Sequence, residues 1–420
     1  MSSSITKTQT LLGEVGITLL PHQLEALEWL NRRESEMVPG GIIADEMGLG
    51  KTLEIISLLL GSPVQNTLVI VPANLIEQWV GELKKFAPSI TPRVNEDFSE
   101  EATGTNNVYI SSFVKGSRNG SYHSVTWDRI VVDEAHYIRN HKGVTYKSLY
   151  ALPRMFTYLL TGTPIHNKFG DIAALIKFIG IEDIPTSIES RKALVEQFVL
   201  RRTLEEVHLT LPNLDYKTHK LHFIHSHEKK IYRRVMNNAL ITHDMTVLER
   251  CLRLRQAALL PRMISNLVSK NTFQQNTKLD CILSHLKKTE RKVIVFCYFV
   301  REIEYLYKGL EGYNVDIIDG SVPMCERKEI CENPDTNILL VNIMAGGTGL
   351  NLTNYNTVYF TGPHWNPTLE QQAIARVYRI GQKEKVEVKR FIMKHTIEED
   401  ILVINANKIK LINTFIKEKQ

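Results

Sequence analysis

One pattern recurs along this 420-residue chain and limits its possible folds: a short apolar, β-rich run ends in small or polar residues, and a helical pattern follows. In the first half the runs are "GGIIA", "NTLVIVPA", "NNVYISSF", "RIVVDEAH" and "TYLLTGTP", with helical stretches such as "TLEIISLLL" and "NLIEQWVGELKKF" between them. Runs that are apolar throughout fit strands covered on both faces, and helices between successive runs are the connections a parallel sheet needs. The pattern returns in "RKVIVFCYF", "NVDIIDGS", "TNILLVNIMAGGTGLNL", "NTVYFTG" and "VEVKRFIM". Between the two series the rhythm fades, and "EKKIYRRVMNNALITHDMTVLERCLRLRQAALL" reads as largely helical. In the tail "TIEEDILVINANKIKLINTFIKEK", Thr396 precedes acids and then apolar residues at helical spacing, as in a capped amphipathic helix. The expected architecture is α/β. A first parallel-sheet lobe spans 1–195, a connector and helical insertion 196–275, a second lobe 276–395, and a C-terminal helix 396–420.

Composition narrows the class. The hydrophobic fraction of 43% and charged fraction of 23% are those of a soluble globular protein. A net charge of +5 is compatible with a nucleic-acid partner without requiring one. No apolar run reaches the ~18 residues of a spanning helix, and "MSSSITKTQTLL" lacks the basic start and long apolar core of a signal peptide. A soluble, intracellular protein away from membranes is expected. Five cysteines without a Cys-x-x-Cys pair read as reduced thiols, neither a disulfide framework nor a zinc site.

Parallel sheets present ligands beyond the carboxyl ends of their strands, so the chemistry is sought there. In "GGIIADEMGLGKTLEII" a strand runs into a turn carrying Gly48 and Gly50, and Lys51 and Thr52 then open a helix. Glycines let backbone N–H groups approach phosphate oxygens, and the helix N-terminus favours negative charge. Lys51 would neutralise the β- and γ-phosphates, and the Thr52 hydroxyl would ligate magnesium. The strict loop pattern requires glycine where Asp45 stands, so this motif alone leaves a chance Gly-Lys-Thr turn open. "RIVVDEAH" supplies the other half of such a site. Asp133 ends a strand where it can hold the magnesium shell, and Glu134 is placed to polarise water for attack on the γ-phosphate. An exposed acidic turn is the plainer alternative for that motif by itself; the upstream loop in the same lobe favours the nucleotide site.

"DEMGLGKT", "DEAH", "LLTGTPIHN", "AGGTGLNLT" and "WNPTLEQQAIARVYRIGQ", in this order, resemble the Swi/Snf branch of the superfamily-two helicase-like ATPases over roughly residues 20 to 400. In that branch DE-x-GLGKT is the usual form of the loop, which accounts for Asp45. The resemblance implies two RecA-like lobes that use ATP and magnesium to move along double-stranded DNA and to remodel or displace DNA-bound proteins. It also implies residue roles. Gln23 in "LLPHQLEALEWL" would bond the adenine edge, with His22 in support. Thr161, Gly162 and Thr163 would sense nucleotide and contact DNA. Gly346, Gly347, Gly349 and Asn351 would link the DNA backbone to the ATP cleft, with Gly349 also at the nucleotide. Gln372, Arg376 and Arg379 fall at i, i+4 and i+7, hence on one helical face, and the two arginines resemble the family's arginine fingers.

Tyr378, Ala375 and Thr348 depart from the family's usual residues, which touches fine coupling more than activity. "FVLRRTLEEVHLTLPNLDYKTHKL" and "LRLRQAALLP" lean towards the lodestar and ring-finger ligase branch, without the ring finger. A stripped-down, monomeric motor core is expected, working in the nucleus or a viral replication compartment. A strand-separating DNA or RNA helicase, and an ATP-gated DNA clamp that recruits partners, remain as alternatives. "THKLHFIHSH" gathers His219, His222, His225 and His227, but an extended segment splays them to different faces and no Cys or carboxylate joins them, so no zinc is expected. "HLKKTERK" reads as a solvated helix end.

Overall fold

A computed structural model describes residues 2–98, 105–165, 168–207, 211–237, 246–267, 275–346 and 350–415. The chain divides into two compact units, Met1–Leu209 with Lys408–Gln420, and Thr210–Asn407.

The first unit is built on β1 (Gly40–Ile43), β2 (Asn66–Val71), β3 (Arg93–Val94), β4 (Asn107–Ser112), β5 (Trp127–Val132), β6 (Arg154–Leu160) and β7 (Val199–Leu200). They pair in the order β3-β4-β2-β5-β6-β1-β7, and every pairing is parallel. The unbroken apolar runs have the expected cause. In β2, Leu68 and Ile70 enter the core on one face while Val69 and Val71 enter the core on the other. Because β5, β6 and β1 are neighbours, the turns that follow them lie side by side along one carboxyl edge. These are the turns that carry "DEAH", "TGTP" and the glycine loop.

The second unit is built on β8 (Leu214–Leu221), β9 (Val293–Cys297), β10 (Val315–Ile318), β11 (Ile338–Asn342), β12 (Thr357–Phe360) and β13 (Val386–Met393). Their order is β10-β11-β9-β12-β13-β8, again all parallel. In β9, Ile294 and Phe296 face one core and Val293, Val295 and Cys297 the other. Two parallel-sheet α/β lobes are therefore present, as the sequence pattern requires.

The boundaries between them differ from expectation. The span 196–275 is not a separate helical connector: it gives β7 to the first sheet and β8 to the second. Strand β8, "LDYKTHKL", is polar because it is an edge strand paired only with β13, and it is mostly half-buried or exposed, so no apolar run marks it. The expected helices do form, at Ser226–Met236 and Val247–Leu259. Their Ile231, Tyr232, Val235, Leu254 and Ala257 pack with Met393, Ile397 and Ile401, which makes them part of the second unit. The C-terminal helix, Ile397–Phe415, follows Thr396, whose hydroxyl accepts the Glu398 N–H at 3.3 Å. No helix among the described residues is long and apolar enough to cross a membrane.

Candidate active site

Strand β1 gives way to the glycine loop, and the helix Lys51–Gly61 starts at its end. Gly48 (φ 96°) and Gly50 (φ 93°) both take left-handed backbone that L side chains avoid. At Gly50 a Cβ would also come within 2.6 Å of Gln23 Nε2. Gly50 is the N-cap of the helix and offers no side chain to the first N–H groups, so the helix end is left to an outside anion. The Lys51 ammonium folds over the loop and donates to the carbonyls of Asp45 (2.7 Å) and Glu46 (3.3 Å). Thr52 occupies the first turn of the same helix.

Asp45, the residue that breaks the strict loop pattern, is fully buried and ion-paired with Arg202. Arg202 Nε reaches both carboxylate oxygens, at 3.2 and 3.1 Å, and its backbone N–H donates to Oδ1 at 2.9 Å. The same guanidinium donates to Glu54 Oε1 at 2.9 Å and to the His22 carbonyl. Burial, reinforced by the charge of Asp45, pushes the Glu54 carboxyl up to about 8. The Glu46 N–H bonds the Arg202 carbonyl at 2.9 Å, and the Glu46 side chain accepts the Leu204 N–H at 2.8 Å. Asp45 thus does what a glycine could not: it clamps the loop onto the segment that follows β7.

Gln23, expected to read adenine, holds the loop here. Its Nε2 donates to the Leu49 carbonyl at 3.2 Å, its Oε1 accepts the Leu20 N–H at 3.0 Å, and the side chain is buried. His22 Nε2 bonds the same Leu49 carbonyl at 3.0 Å, and burial keeps its imidazole below the ordinary value, hence neutral.

Beyond β5, the Asp133 N–H continues the ladder to the Ile70 carbonyl at 2.8 Å. Its Oδ1 accepts the Glu134 N–H at 2.8 Å, and its Oδ2 accepts the Trp79 indole N–H at 2.9 Å. Burial, with the adjacent Glu134 charge second, pushes the Asp133 carboxyl up to about 6. Glu134 sits at φ 49°, ψ 48°. Such left-handed backbone costs a residue with a side chain about 1–3 kcal/mol and concentrates at functional sites. Glu134 Oε2 lies 3.1 Å from His136 Nδ1. In the neighbouring turn the Thr161 N–H bonds the Ile43 carbonyl at 3.0 Å, and the Thr163 N–H bonds Thr161 Oγ1 at 3.1 Å. A Cβ on Gly162 would lie 2.5 Å from Met47 Cε, so glycine lets this turn pass against the loop. His166 and Asn167 lie outside the described residues.

This edge fits a polyphosphate with a divalent cation. Two adjacent carboxylates repel each other in poorly solvated surroundings, and an uncapped helix N-terminus, an ammonium and a threonine hydroxyl share their sheet edge. Magnesium takes hard oxygen ligands, one or two of them carboxylates, and Thr52 and Asp133 match that demand.

In the second unit the helix Pro367–Val377 carries buried Gln372 and, in its last turn, Arg376. The helix ends at Val377, and Tyr378 already has non-helical backbone (φ −96°, ψ 89°). Arg379 therefore projects from the following turn, not from the helical face expected to hold all three residues. Gln382 of "RIGQ" fixes this turn. Its Nε2 donates to the carbonyls of Thr353 (3.2 Å), Tyr355 (3.0 Å) and Val377 (3.1 Å), and its Oε1 accepts the N–H groups of Lys383 and Glu384, both at 2.9 Å. The Arg376 carbonyl accepts the Leu352 N–H at 3.0 Å, beside exposed Asn351. Gly346 ends the short helix Ile343–Gly346; Gly347, Thr348 and Gly349 lie outside the described residues. The four histidines of the β8 region do not converge: His219 stacks on Phe391, His225 on His227, and His222 lies by His395.

A family model described as the SNF2-related domain matches residues 22–190, and one described as the helicase conserved C-terminal domain matches 275–381. The chain belongs with the SNF2-type ATPases of helicase superfamily two. A chromodomain-helicase-DNA-binding protein 1-like of Danio rerio is 31% identical over 97% of this SNF2-type chain and 44% of its own length. The chain thus spans less than half of that relative. A probable global transactivator of Orgyia pseudotsugata multicapsid polyhedrosis virus is 27% identical, over 94% of this chain and 91% of its own. Among solved structures, a Sulfolobus solfataricus SWI2/SNF2 ATPase core in complex with dsDNA aligns over 95% of this chain and 93% of its own, at 24% identity and a TM-score of 0.45. The two family models and the Danio rerio relative support the SNF2-type family and not the lodestar and ring-finger branch expected from the connector.

Three residues of the SNF2-type site were not singled out by sequence: Arg202, Trp79 and Gln382. Arg202 had a readable signal. Acids inside the apolar runs "GGIIAD" and "LEII" demand a buried cation, and "LRRT" offers one. Trp79 had none, since its helix spacing is that of a core residue.

Proposed function

We propose that this protein is an ATP-dependent translocase on double-stranded DNA that remodels or displaces DNA-bound proteins. The observation that carries the reading is the gathering of the uncapped helix at Lys51, the Asp133–Glu134 pair and the "TGTP" turn along one sheet edge. Gly48, Gly50 and the helix N-terminus would cradle the phosphates, and the Lys51 ammonium would leave the loop carbonyls for the β- and γ-oxygens. Thr52 and Asp133 would hold magnesium, which would supply charge neutralisation at the phosphates. Glu134 takes the proton of the attacking water. Arg376 and Arg379 are the groups through which the second lobe would stabilise charge developing on the γ-phosphate. Thr161, Gly162, Thr163, Gly346, Gly347, Asn351 and Gln372 would transmit DNA contact to that step. Gly349 would sit at the nucleotide, and Gln23 would exchange its loop contact for the adenine edge.

DNA is the partner suggested by the name of the Danio rerio relative, and the motif resemblance suggests that it is double-stranded. Contacts to a uniform phosphate backbone suit a motor without base readout. The protein would act as a monomeric core wherever that DNA is, in a nucleus or a viral replication compartment.

The test is the ATPase rate of the wild type, Arg376→Ala and Arg379→Ala with duplex DNA, single-stranded DNA, RNA and nucleosomes, at one stated salt concentration. Duplex should stimulate the wild type most, with displacement of a third strand and no unwinding. Arg379→Ala should bind duplex normally and respond to it hardly at all. Full stimulation of both arginine variants would sink the cross-lobe mechanism. Unwinding of duplex would favour the helicase, and absence of turnover the clamp.

A further inference from the structure

We propose that Trp79 is a positioning residue for Asp133: its indole N–H fixes the carboxylate in the orientation that magnesium binding uses. The inference rests on the reading of Asp133 as a magnesium-shell acid.

Trp79 lies on the helix Ile76–Phe86, which follows β2. Its buried neighbours on that helix are Ile76 and Leu83, so the indole body belongs to the core, and only its N–H reaches the sheet edge. That N–H is a donor with no acceptor function, and burial obliges it to find a partner. The partner is Asp133 Oδ2, at 2.9 Å. One crossover unit therefore holds Asp133 twice: β2 takes its backbone N–H on the Ile70 carbonyl, and the helix after β2 takes its side chain.

The type of donor matters. Asp45, nearby in sequence terms to the loop, is answered by a guanidinium, which cancels its charge. Asp133 is held by two neutral donors, Trp79 on Oδ2 and the Glu134 N–H on Oδ1. Each oxygen keeps lone-pair capacity, and neither donor brings a charge that would cancel the carboxylate's. A core residue chosen for bulk alone could be phenylalanine. The nitrogen is what meets Asp133.

The experiment uses the full chain. The four tryptophans are 29, 79, 127 and 365, so the indole N–H region of a proton–nitrogen correlation spectrum holds four signals. Trp127 donates to the Tyr122 carbonyl at 3.0 Å and serves as the internal control. Adding ADP with magnesium chloride should move the Trp79 signal and leave that of Trp127. Adding ADP with a chelator should leave the Trp79 signal in place. Trp79→Phe should need on the order of 10-fold more free magnesium for half-maximal binding of a fluorescent ADP analogue and for turnover, the size of effect seen when a metal ligand loses its orienting partner. Its affinity for the analogue in chelator should stay within about 2-fold of wild type, since no group at the phosphates has changed. If Trp79→Phe fails to fold, Trp→Phe changes at 29, 127 and 365 assign the Trp79 signal by elimination, and the wild-type spectrum decides.

A Trp79 signal unmoved by magnesium while the analogue binds would overturn the inference. So would wild-type magnesium dependence in Trp79→Phe, or an equal magnesium shift in Trp29→Phe, which removes a buried tryptophan from the same core. These outcomes leave the nucleotide site standing. A wild type that binds no nucleotide overturns both.

Discussion

After β1 the chain enters a helix, Lys51–Gly61, and after β9 it enters another, Val300–Gly309. Both strands are fully buried and each lies between two parallel neighbours, yet the helix starts differ. In the first lobe the N-cap is Gly50 in left-handed backbone, with no side chain to satisfy the helix N–H groups. In the second lobe Glu302 turns back on its own helix start and accepts the N–H groups of Tyr298 and Phe299. One helix start therefore has room for an outside anion, and the other is occupied by a carboxyl group of its own. A parallel sheet gives the place for a phosphate site, and the side chains beside the helix start decide whether the place is open.

The sharpest way to break this comparison is to remove the first lobe's chemistry. Lys51→Ala should weaken ATP binding and abolish turnover, because the phosphate charge loses its partner. Glu134→Gln should keep ATP binding while turnover falls by a factor on the order of 10² or more, the usual contribution of a general base. Both are read by steady-state ATPase rates beside fluorescent-nucleotide binding. Normal hydrolysis by Glu134→Gln would show that the base lies elsewhere.

What the sequence disclosed follows the same division. Strands buried on both faces announce themselves by unbroken apolar runs at their centres and ends: β2, β5, β9 and β12 were all legible. The edge strand β8 was not, because one covered side leaves Asp215, Lys217 and Lys220 free to be polar. The loop glycines were legible because only glycine adopts their backbone cheaply. Asp45 was puzzling because its reason, Arg202, lies 157 positions away. The end of the helix before Arg379 was hidden because no glycine or proline interrupts "AIARVYR"; the stop is made by Gln382, which gathers three carbonyls.

Each lobe also buries an ion pair, and replacing the cation in each tests whether the lobes differ in function or only in detail. Arg202 answers Asp45 and Glu54 beneath the loop, while Lys278 answers Glu398 and the Thr361 carbonyl. Arg202→Met and Lys278→Met should each destabilise the protein by about 3–5 kcal/mol, since each leaves buried carboxylates without a counter-charge. Urea midpoints measure that loss. Nucleotide affinity should separate them: Arg202→Met frees the loop and should weaken binding, whereas Lys278→Met should bind as the wild type does below its unfolding transition. Equal weakening by both would mean that nucleotide binding does not belong to the first lobe.

The smallest effect tests the closed helix start. Burial raises the Glu302 carboxyl from 4.5 to about 7, against the opposing pull of the Phe299 and Tyr298 N–H groups, Thr361 and Lys278. The folded lobe therefore holds this proton more tightly than the unfolded chain does. Its contribution to stability is complete below pH 4.5 and is lost as the pH rises through about 7. At about 1.4 kcal/mol per pKa unit, the loss approaches ~3 kcal/mol. Glu302→Gln keeps a carbonyl for the two N–H groups and cannot ionise. It should match the wild type near pH 5 and exceed it in stability near pH 8, read as protection of β9 and β12 amides against hydrogen exchange. A variant that loses protection between those pH values as steeply as the wild type would show that Glu302 carries no proton there. The second helix start would then be closed by a charged carboxylate, and the contrast with Gly50 would rest on charge as well as on capping.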